Sequence, residues 1–326
     1  MRPQAFQAKD EKVTRLFLDA RRGIRPGEPR LSLSWSNWGF GSEPLQVSAA
    51  RLAANRISYI ELHGNKYGSD IGYKAHDVRI IVDDAGLTVS GVCGMATEDS
   101  EFASNRPHVR QRAIDYFRRQ GDFCKEVGGS YILVVPGAVG RPRPYDSNEF
   151  ERAAEGIRIV AEHFHQLGIK GAIEPIRPEE TSLCHTFGDA RRLIDEIDNP
   201  GVQHINGDLF HMLASEQHIG ETILDAGPYL INLHLADTNR QALGNGMLDV
   251  DQVLMALYAT GYQRRDAFCT AEPLGAGGNP YSAMFEAPDA GALDQLVART
   301  ASTFFEREAA ILAASDGELL GRIEMD

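Results

Sequence analysis

Short runs rich in β-branched and aromatic residues recur along this chain, and the longer stretches between them carry apolar residues at every third or fourth position. The first pattern marks strands and the second amphipathic helices. Strands are predicted at residues 31–35, 59–63, 87–92, 131–135, 171–174, 202–206, 230–235 and 267–272. Few charges interrupt them, as expected of strands covered on both faces. Among the helical stretches, Phe150, Ala154, Ile157, Val160, Ala161, Phe164 and Leu167 form one stripe that ends at Gly168, and Asp146 with Glu149 has capping-box spacing at its start. Val109, Ala113, Tyr116, Phe117, Phe123 and Val127 form a second stripe that runs into Gly128 and Gly129. Strand alternating with helix argues for a parallel sheet. Eight such units, over about the ~250 residues typical of that fold, predict an α/β single (β/α)8 TIM barrel, with an open doubly wound sheet as the runner-up. Against the runner-up, the Gly275–Gly277 pair follows the last strand and leads into Asn279 and Pro280 instead of a helix, so it is no dinucleotide fingerprint.

The barrel is expected over residues 30–315. Residues 1–29 form an N-terminal extension, with Val13, Leu16 and Phe17 on an amphipathic helix over one barrel end, and residues 316–326 a polar tail. No stretch rich in Pro, Gly or Ser marks a second domain.

Charge and composition narrow the partners. Lys and Arg total 33 against 46 Asp and Glu, a net charge of −13, which repels phosphate backbones and anionic lipid. Nucleic acid and membrane are therefore not expected as partners. Mean hydropathy is −0.29, the apolar runs fall far short of the ~20 residues a membrane helix needs, and charges interrupt the N-terminus where a signal peptide needs an apolar core. The expected location is the cytoplasm. Cys93, Cys124, Cys184 and Cys269 lie far apart without a CxxC pair, as buried thiols would.

In such a barrel the reacting groups sit where strands end, on the C-terminal face. The late strands finish in Glu174, Asp208, His234 and Glu272. A carboxylate beside an apolar strand core costs several kcal/mol unless it is paired or coordinated. One divalent cation would compensate all three, and an O,O,O,N donor set suits Mn²⁺ first, then Mg²⁺, Co²⁺ or Zn²⁺. Each residue also has an ordinary alternative: Asp208 could cap the helix that begins at Leu209, and Glu272 could pair with Arg264 or Arg265.

The segments IEP, GDLFH, HLADTNR and AEPL, in this order, resemble the sugar phosphate isomerase/epimerase family of xylose isomerase-like barrels, which includes ketose 3-epimerases; the resemblance covers about residues 31–312. It implies that Glu174, Asp208, His234 and Glu272 hold one divalent metal and that His211 and Arg240 contact substrate oxygens. In the N-terminal half, SWSNWGFG, YIELHGNKYGSDIGY, GVCGM and VVPGAVGRP look like the metal-binding α subunit of the 3-oxo-C-glycoside deglycosidases. That second resemblance implies cleavage of a sugar to aglycone C–C bond and a small β subunit in a hetero-oligomer; without it, a homo-oligomer is expected.

A metal chelated by a sugar carbonyl and its neighbouring hydroxyl acidifies the carbon between them. Glu174 and Glu272 would then act as catalytic acid and base on that carbon. Expulsion of a leaving group makes the chain a lyase, the leading reading, whereas reprotonation makes it a ketose epimerase or sugar isomerase, the alternative. His63 could protonate a leaving aglycone or hold a hydroxyl. Trp38, with Trp35 and Tyr67, could stack on a sugar or flat aglycone, and Arg141 could meet a substrate oxygen or phosphate. A nuclease resembling the endonuclease IV branch is opposed by the charge and by the single histidine of the four-residue set, and a noncatalytic sugar-binding barrel is the remaining reading. His163 and His165, within a helix, are assigned no role.

Overall fold

In the computed structural model, which describes residues 4–25, 27–63, 72–274 and 289–325, eight strands close into one parallel barrel. They are β1 (Leu33–Ser36), β2 (Tyr59–His63), β3 (Thr88–Cys93), β4 (Tyr131–Val134), β5 (Lys170–Ile173), β6 (Val202–Asp208), β7 (Leu230–Leu235) and β8 (Phe268–Ala271). Each pairs with the next, and β8 returns to β1 through Leu33↔Cys269 and Trp35↔Ala271. The predicted (β/α)8 barrel is therefore the fold, and the open sheet is excluded by its closure.

The outer layer contains α1 (Gln4–Arg21), α2 (Leu45–Ala54), α3 (Ala75–Asp84), α4 (Pro107–Val127), α5 (Glu149–Leu167), α6 (Phe187–Ile197), α7 (Leu209–Ser215), α8 (Ile219–Ala226), α9 (Val250–Ala259), α10 (Ala290–Ala313) and α11 (Asp316–Met325). Left-handed Gly128 (φ 82°) and Gly168 (φ 70°) end α4 and α5 where the sequence places them. The start of α5 differs from the expected capping box. Its N-cap is Asn148 with no side-chain cap bond; Asp146 accepts from Asn148 N and Arg152, while Glu149 turns to the guanidinium of Arg141. The Glu149 Oε1 that meets Arg141 also accepts from Tyr145 N at 2.7 Å, so this carboxylate serves a buried cation and a backbone N–H ahead of the helix together.

Helix α1 packs on α8, α9 and α11 of the outer layer, with Phe17 edge-on to Tyr258. The segment expected as a polar tail is helix α11, with Leu319 buried and Asp316 accepting from Arg21. All four cysteines are free and buried. No helix among the described residues is long and apolar enough to cross a membrane.

Inside the barrel the side chains are layered. Tyr59, Tyr131, Ala172, Ile231 and Phe268 form an apolar cluster near the strand starts. Above it Glu61, Asn206, Asn232 and Thr270 form a buried polar layer, and the strand ends carry the acidic set. Tyr131 connects the first two layers, because its ring crosses Gly91 on the neighbouring strand to bring its hydroxyl 2.6 Å from Glu61. A Cβ at Gly91 would stand 2.5 Å from that ring. Gly91→Ala should therefore force Tyr131 aside and destabilise the fold by about 1–3 kcal/mol, read as a lowered urea midpoint; an unchanged midpoint would mean the ring can shift freely.

His204, on β6 near the strand starts, is held neutral. Burial, aided by the nearby Lys170 charge, lowers its pKa to about 4, and Nδ1 has no hydrogen-bond partner. The unfolded chain binds the proton first, so this contribution to stability is complete above the ordinary value of 6.5 and is lost as pH falls toward 4. His204→Gln should flatten the stability profile across that window by about 1–3 kcal/mol, measured by denaturation at several pH values.

Candidate active site

At the C-terminal mouth the strands deliver their polar ends to a cavity of about 30 Å³. Glu174, Asp208, His234 and Glu272 line it, as do His211, Arg240 and Trp38. Glu174 and Glu272 sit one residue beyond β5 and β8, where their N–H groups still donate to Val134 O (3.1 Å) and Leu235 O (2.8 Å) of the neighbouring strands. Their backbones are thus fixed by the barrel while their side chains reach the mouth.

His234 lies at the centre. Its Nε2 is 3.1 and 3.2 Å from the two oxygens of Glu61, and its Nδ1 is 3.5 Å from Glu174 and 3.3 Å from Glu272. Nδ1 is buried without a hydrogen-bond partner. Asp208 divides its work: Oδ1 caps α7 by accepting from Phe210 N at 2.8 Å, and Oδ2 faces His211 Nε2 at 3.3 Å and Arg240 at 3.7 Å. The expected helix cap therefore exists, and it leaves one oxygen for the cavity. Glu272 does not pair with Arg264, which binds Glu28, or with Arg265, which binds Gly227 O.

The electrostatics follow from negative charge packed out of water. Burial, reinforced by the Asp208 and Glu272 charges and opposed by His234, pushes Glu174 up to about 7. Burial works against a charged His234, but Glu272 and Glu61 outweigh it and hold its pKa well above the ordinary value. Burial likewise opposes an ionised Glu61, and His234 and Tyr131 more than offset it. His211 is driven down to about 3 by burial and by Arg240, so it is a neutral ring.

Two triads have ligand atoms within 4.8 Å of one another, Glu61–His234–Glu272 and Glu174–Asp208–His211. Together they contain all four predicted ligands. The unpartnered Nδ1 facing two carboxylates, and an oxygen-rich buried donor set, fit a divalent cation. Cys93 also lines the cavity, yet burial and the surrounding carboxylates raise its pKa so far that it stays a thiol.

The remaining predicted residues are placed differently. His63 is buried against Trp38, their rings stacked at 5.8 Å, with Trp38 on the cavity side. Arg141 lies away from the cavity lining: its guanidinium binds Glu101 (3.1 and 2.7 Å) and Glu149 (2.7 Å), so it is engaged by two carboxylates and is not an open anion contact. Trp35 is core, stacked on Phe40. Tyr67 lies outside the described residues. His163 pairs with Asp122 on the helical surface.

Sequence reasoning missed Glu61, Asn206, Asn232 and Glu180. Asn206 Nδ2 reaches Glu174 at 3.2 Å, and Asn232 binds both Glu61 and Asn206. Glu180 lines the cavity and accepts from Arg177 Nε at 2.6 Å. Arg177 and Arg240 both lie over the ring of Phe210, at 4.4 and 4.1 Å. The available signal for Glu61 was a lone acid inside the apolar strand YIELH.

A 3-dehydro-D-guloside 4-epimerase of Escherichia coli K12 is 28% identical over 197 residues, 57% of this chain and 73% of that protein. A D-psicose 3-epimerase of Agrobacterium fabrum is 25% identical over 230 residues, 69% of this chain and 78% of that protein. The crystal structure of D-allulose 3-epimerase from Methylomonas sp. with D-allulose superposes with a TM-score of 0.72 at 18% identity, covering 86% of this chain and 98% of that one, which supports the fold. The family model of xylose isomerase-like TIM barrels matches residues 49–287. This chain belongs to the xylose isomerase-like TIM barrel family.

Proposed function

We propose that this chain is a divalent-metal-dependent epimerase that inverts a carbon beside the carbonyl of an unphosphorylated oxo-sugar. The observation that carries the reading is the pair Glu174 and Glu272, delivered by separate strands to one cavity and facing the same ring nitrogen of His234 at 3.5 and 3.3 Å. The two curated relatives support it. By name, one inverts carbon 4 of a 3-dehydro sugar and the other carbon 3 of a ketose, in each case the carbon next to a carbonyl.

Glu174, Asp208, His234 and Glu272 would hold the metal, Mn²⁺ being the first choice; when bound, the ion supplies positive charge that makes the hydrogen beside the carbonyl acidic. One glutamate removes that proton as base and the other returns a proton as acid. Neutral His211 and the Arg240 guanidinium are placed to hydrogen-bond sugar oxygens, and Arg240 offsets charge that develops on them. Trp38 gives the apolar face of a sugar a surface to lie on. Among the described lining residues four carboxylates, Glu174, Glu180, Asp208 and Glu272, stand against one guanidinium, that of Arg240. That balance favours hydroxyls over phosphate, and Arg141, the expected phosphate contact, is already bound by two carboxylates.

Cleavage of a 3-oxo-C-glycoside shares the first proton removal with this reaction, but the curated relatives are epimerases and favour the alternative over the lyase. The β subunit belongs to the lyase reading, and a homo-oligomer is the assembly that goes with the epimerase. The test is NMR in D2O with a panel of ketoses, 3-oxo-glycosides and a 3-oxo-C-glycoside: deuterium at the inverted carbon supports the epimerase, whereas aglycone release restores the lyase. Glu174→Gln and Glu272→Gln should each lower kcat by about 10²–10⁴-fold; a variant of either that turns over at the wild-type rate would remove it from acid–base chemistry. Prolonged chelation should abolish exchange and Mn²⁺ restore it, so activity that survives complete metal removal would sink the metal requirement.

A further inference from the structure

We infer that Glu61 is a positioning residue for the metal centre: it holds His234 so that Nδ1, and not Nε2, is the nitrogen presented to the ion. The inference rests on the metal reading above and adds a residue outside the four proposed ligands. Glu61 lies midway along β2 and is wholly buried. The β2–β3 register shifts between Ile60 and Glu61, and the β6–β7 register shifts between Ile205 and Asn206. Such shifts re-aim side chains next to functional sites, and here they fall at the two residues that begin the polar layer.

Tyr131, Asn232 and His234 surround the Glu61 carboxylate. Tyr131 Oη approaches at 2.6 Å and Asn232 Nδ2 at 3.1 Å, and His234 Nε2 lies 3.1 and 3.2 Å from its two oxygens. A carboxylate only accepts, so His234 carries a proton on Nε2 and turns Nδ1 to the mouth. From Glu61 a second path returns to the site: Asn232 Nδ2 also donates to Asn206 Oδ1 at 2.6 Å, and Asn206 Nδ2 donates to Glu174 Oε1 at 3.2 Å. Thr270 fixes the Asn232 amide by donating to its Oδ1 at 2.7 Å. One buried carboxylate therefore anchors the tautomer of His234 directly and the orientation of Glu174 through two amides. Metal-bound histidines are commonly braced in this way, and loss of the brace weakens the metal.

Glu61→Gln is the sharp substitution. It keeps size, but its NH2 group would face neighbours that are themselves donors, and by donating to His234 Nε2 it would move the ring proton to Nδ1, where the ion should bind. Mn²⁺ binding, followed by the EPR signal of free Mn²⁺, should be about 10–100-fold weaker in Glu61→Gln than in wild type. Tyr131→Phe removes one donor and leaves the His234 contact, and it should keep wild-type affinity. Independently of any variant, ¹⁵N NMR of the wild-type protein loaded with Mg²⁺ should show His234 protonated on Nε2. Wild-type Mn²⁺ uptake with equally tight binding by Glu61→Gln, equal weakening by Tyr131→Phe, or an unprotonated Nε2 would each overturn the inference while leaving the metal reading intact. A wild-type protein that takes up no Mn²⁺ would instead remove the metal reading, and this inference with it.

Discussion

Removing a carboxylate from water costs several kcal/mol unless charge or donors compensate it, and this barrel buries Glu61, Glu174, Asp208 and Glu272 around the ring of His234. Much of the interior can be understood as a response to that cost. Glu61 receives three kinds of donor, Asp208 spends one oxygen on a helix N-terminus, and Glu174 takes an amide from Asn206. What these contacts do not neutralise shows in the elevated pKa of Glu174, which retains its proton to about 7 because burial and two like charges outweigh His234. A site so rich in buried negative charge is arranged to receive positive charge, and the unpartnered His234 Nδ1 indicates where.

The barrel supplies the rigidity this arrangement needs. The apolar cluster of Tyr59, Tyr131 and Phe268 near the strand starts supports the polar layer, with Tyr131 entering both. Gly91 makes room for that crossing, since any side chain there would occupy the space of the ring. Around the mouth, Arg141 ties the segment after β3 to α5 through Glu101 and Glu149, and Ser182 extends the tie to the segment after β5. Its contribution to the site is thus to hold walls together at a distance from the cavity. Arg240 adopts a left-handed backbone (φ 58°), its N–H bound to Asp237 O and its carbonyl accepting from Leu274 N, which brings its side chain to Phe210 and Asp208.

These features account for an enzyme of the epimerase class without a dedicated phosphate grip among the described residues. The cavity pairs two candidate acid–base carboxylates with a neutral imidazole, one guanidinium and an indole face, a set suited to hydroxyls and a carbonyl. Lyase and epimerase chemistry begin with the same proton and the same groups, so residue identity is common to both.

The architecture was legible in the chain because period is a local property: eight apolar runs alternating with helical stripes give a parallel α/β sheet, and their number points to a barrel, which the pairing of β8 with β1 closes. Glu174, Asp208, His234 and Glu272 were legible too, because charge at the end of an apolar strand is visible in one dimension. The tertiary structure alone decided what each charge faces. It directed Glu149 to Arg141 and away from a helix cap, turned Arg141 from the cavity, set His63 behind Trp38, and folded the expected tail into a helix against Arg21. It also joined Glu61 to His234 across 173 positions of sequence. A hydrogen bond spanning the barrel depends on register and on strand bulges, and these are set by closure of the whole sheet, so no local pattern of residues records them.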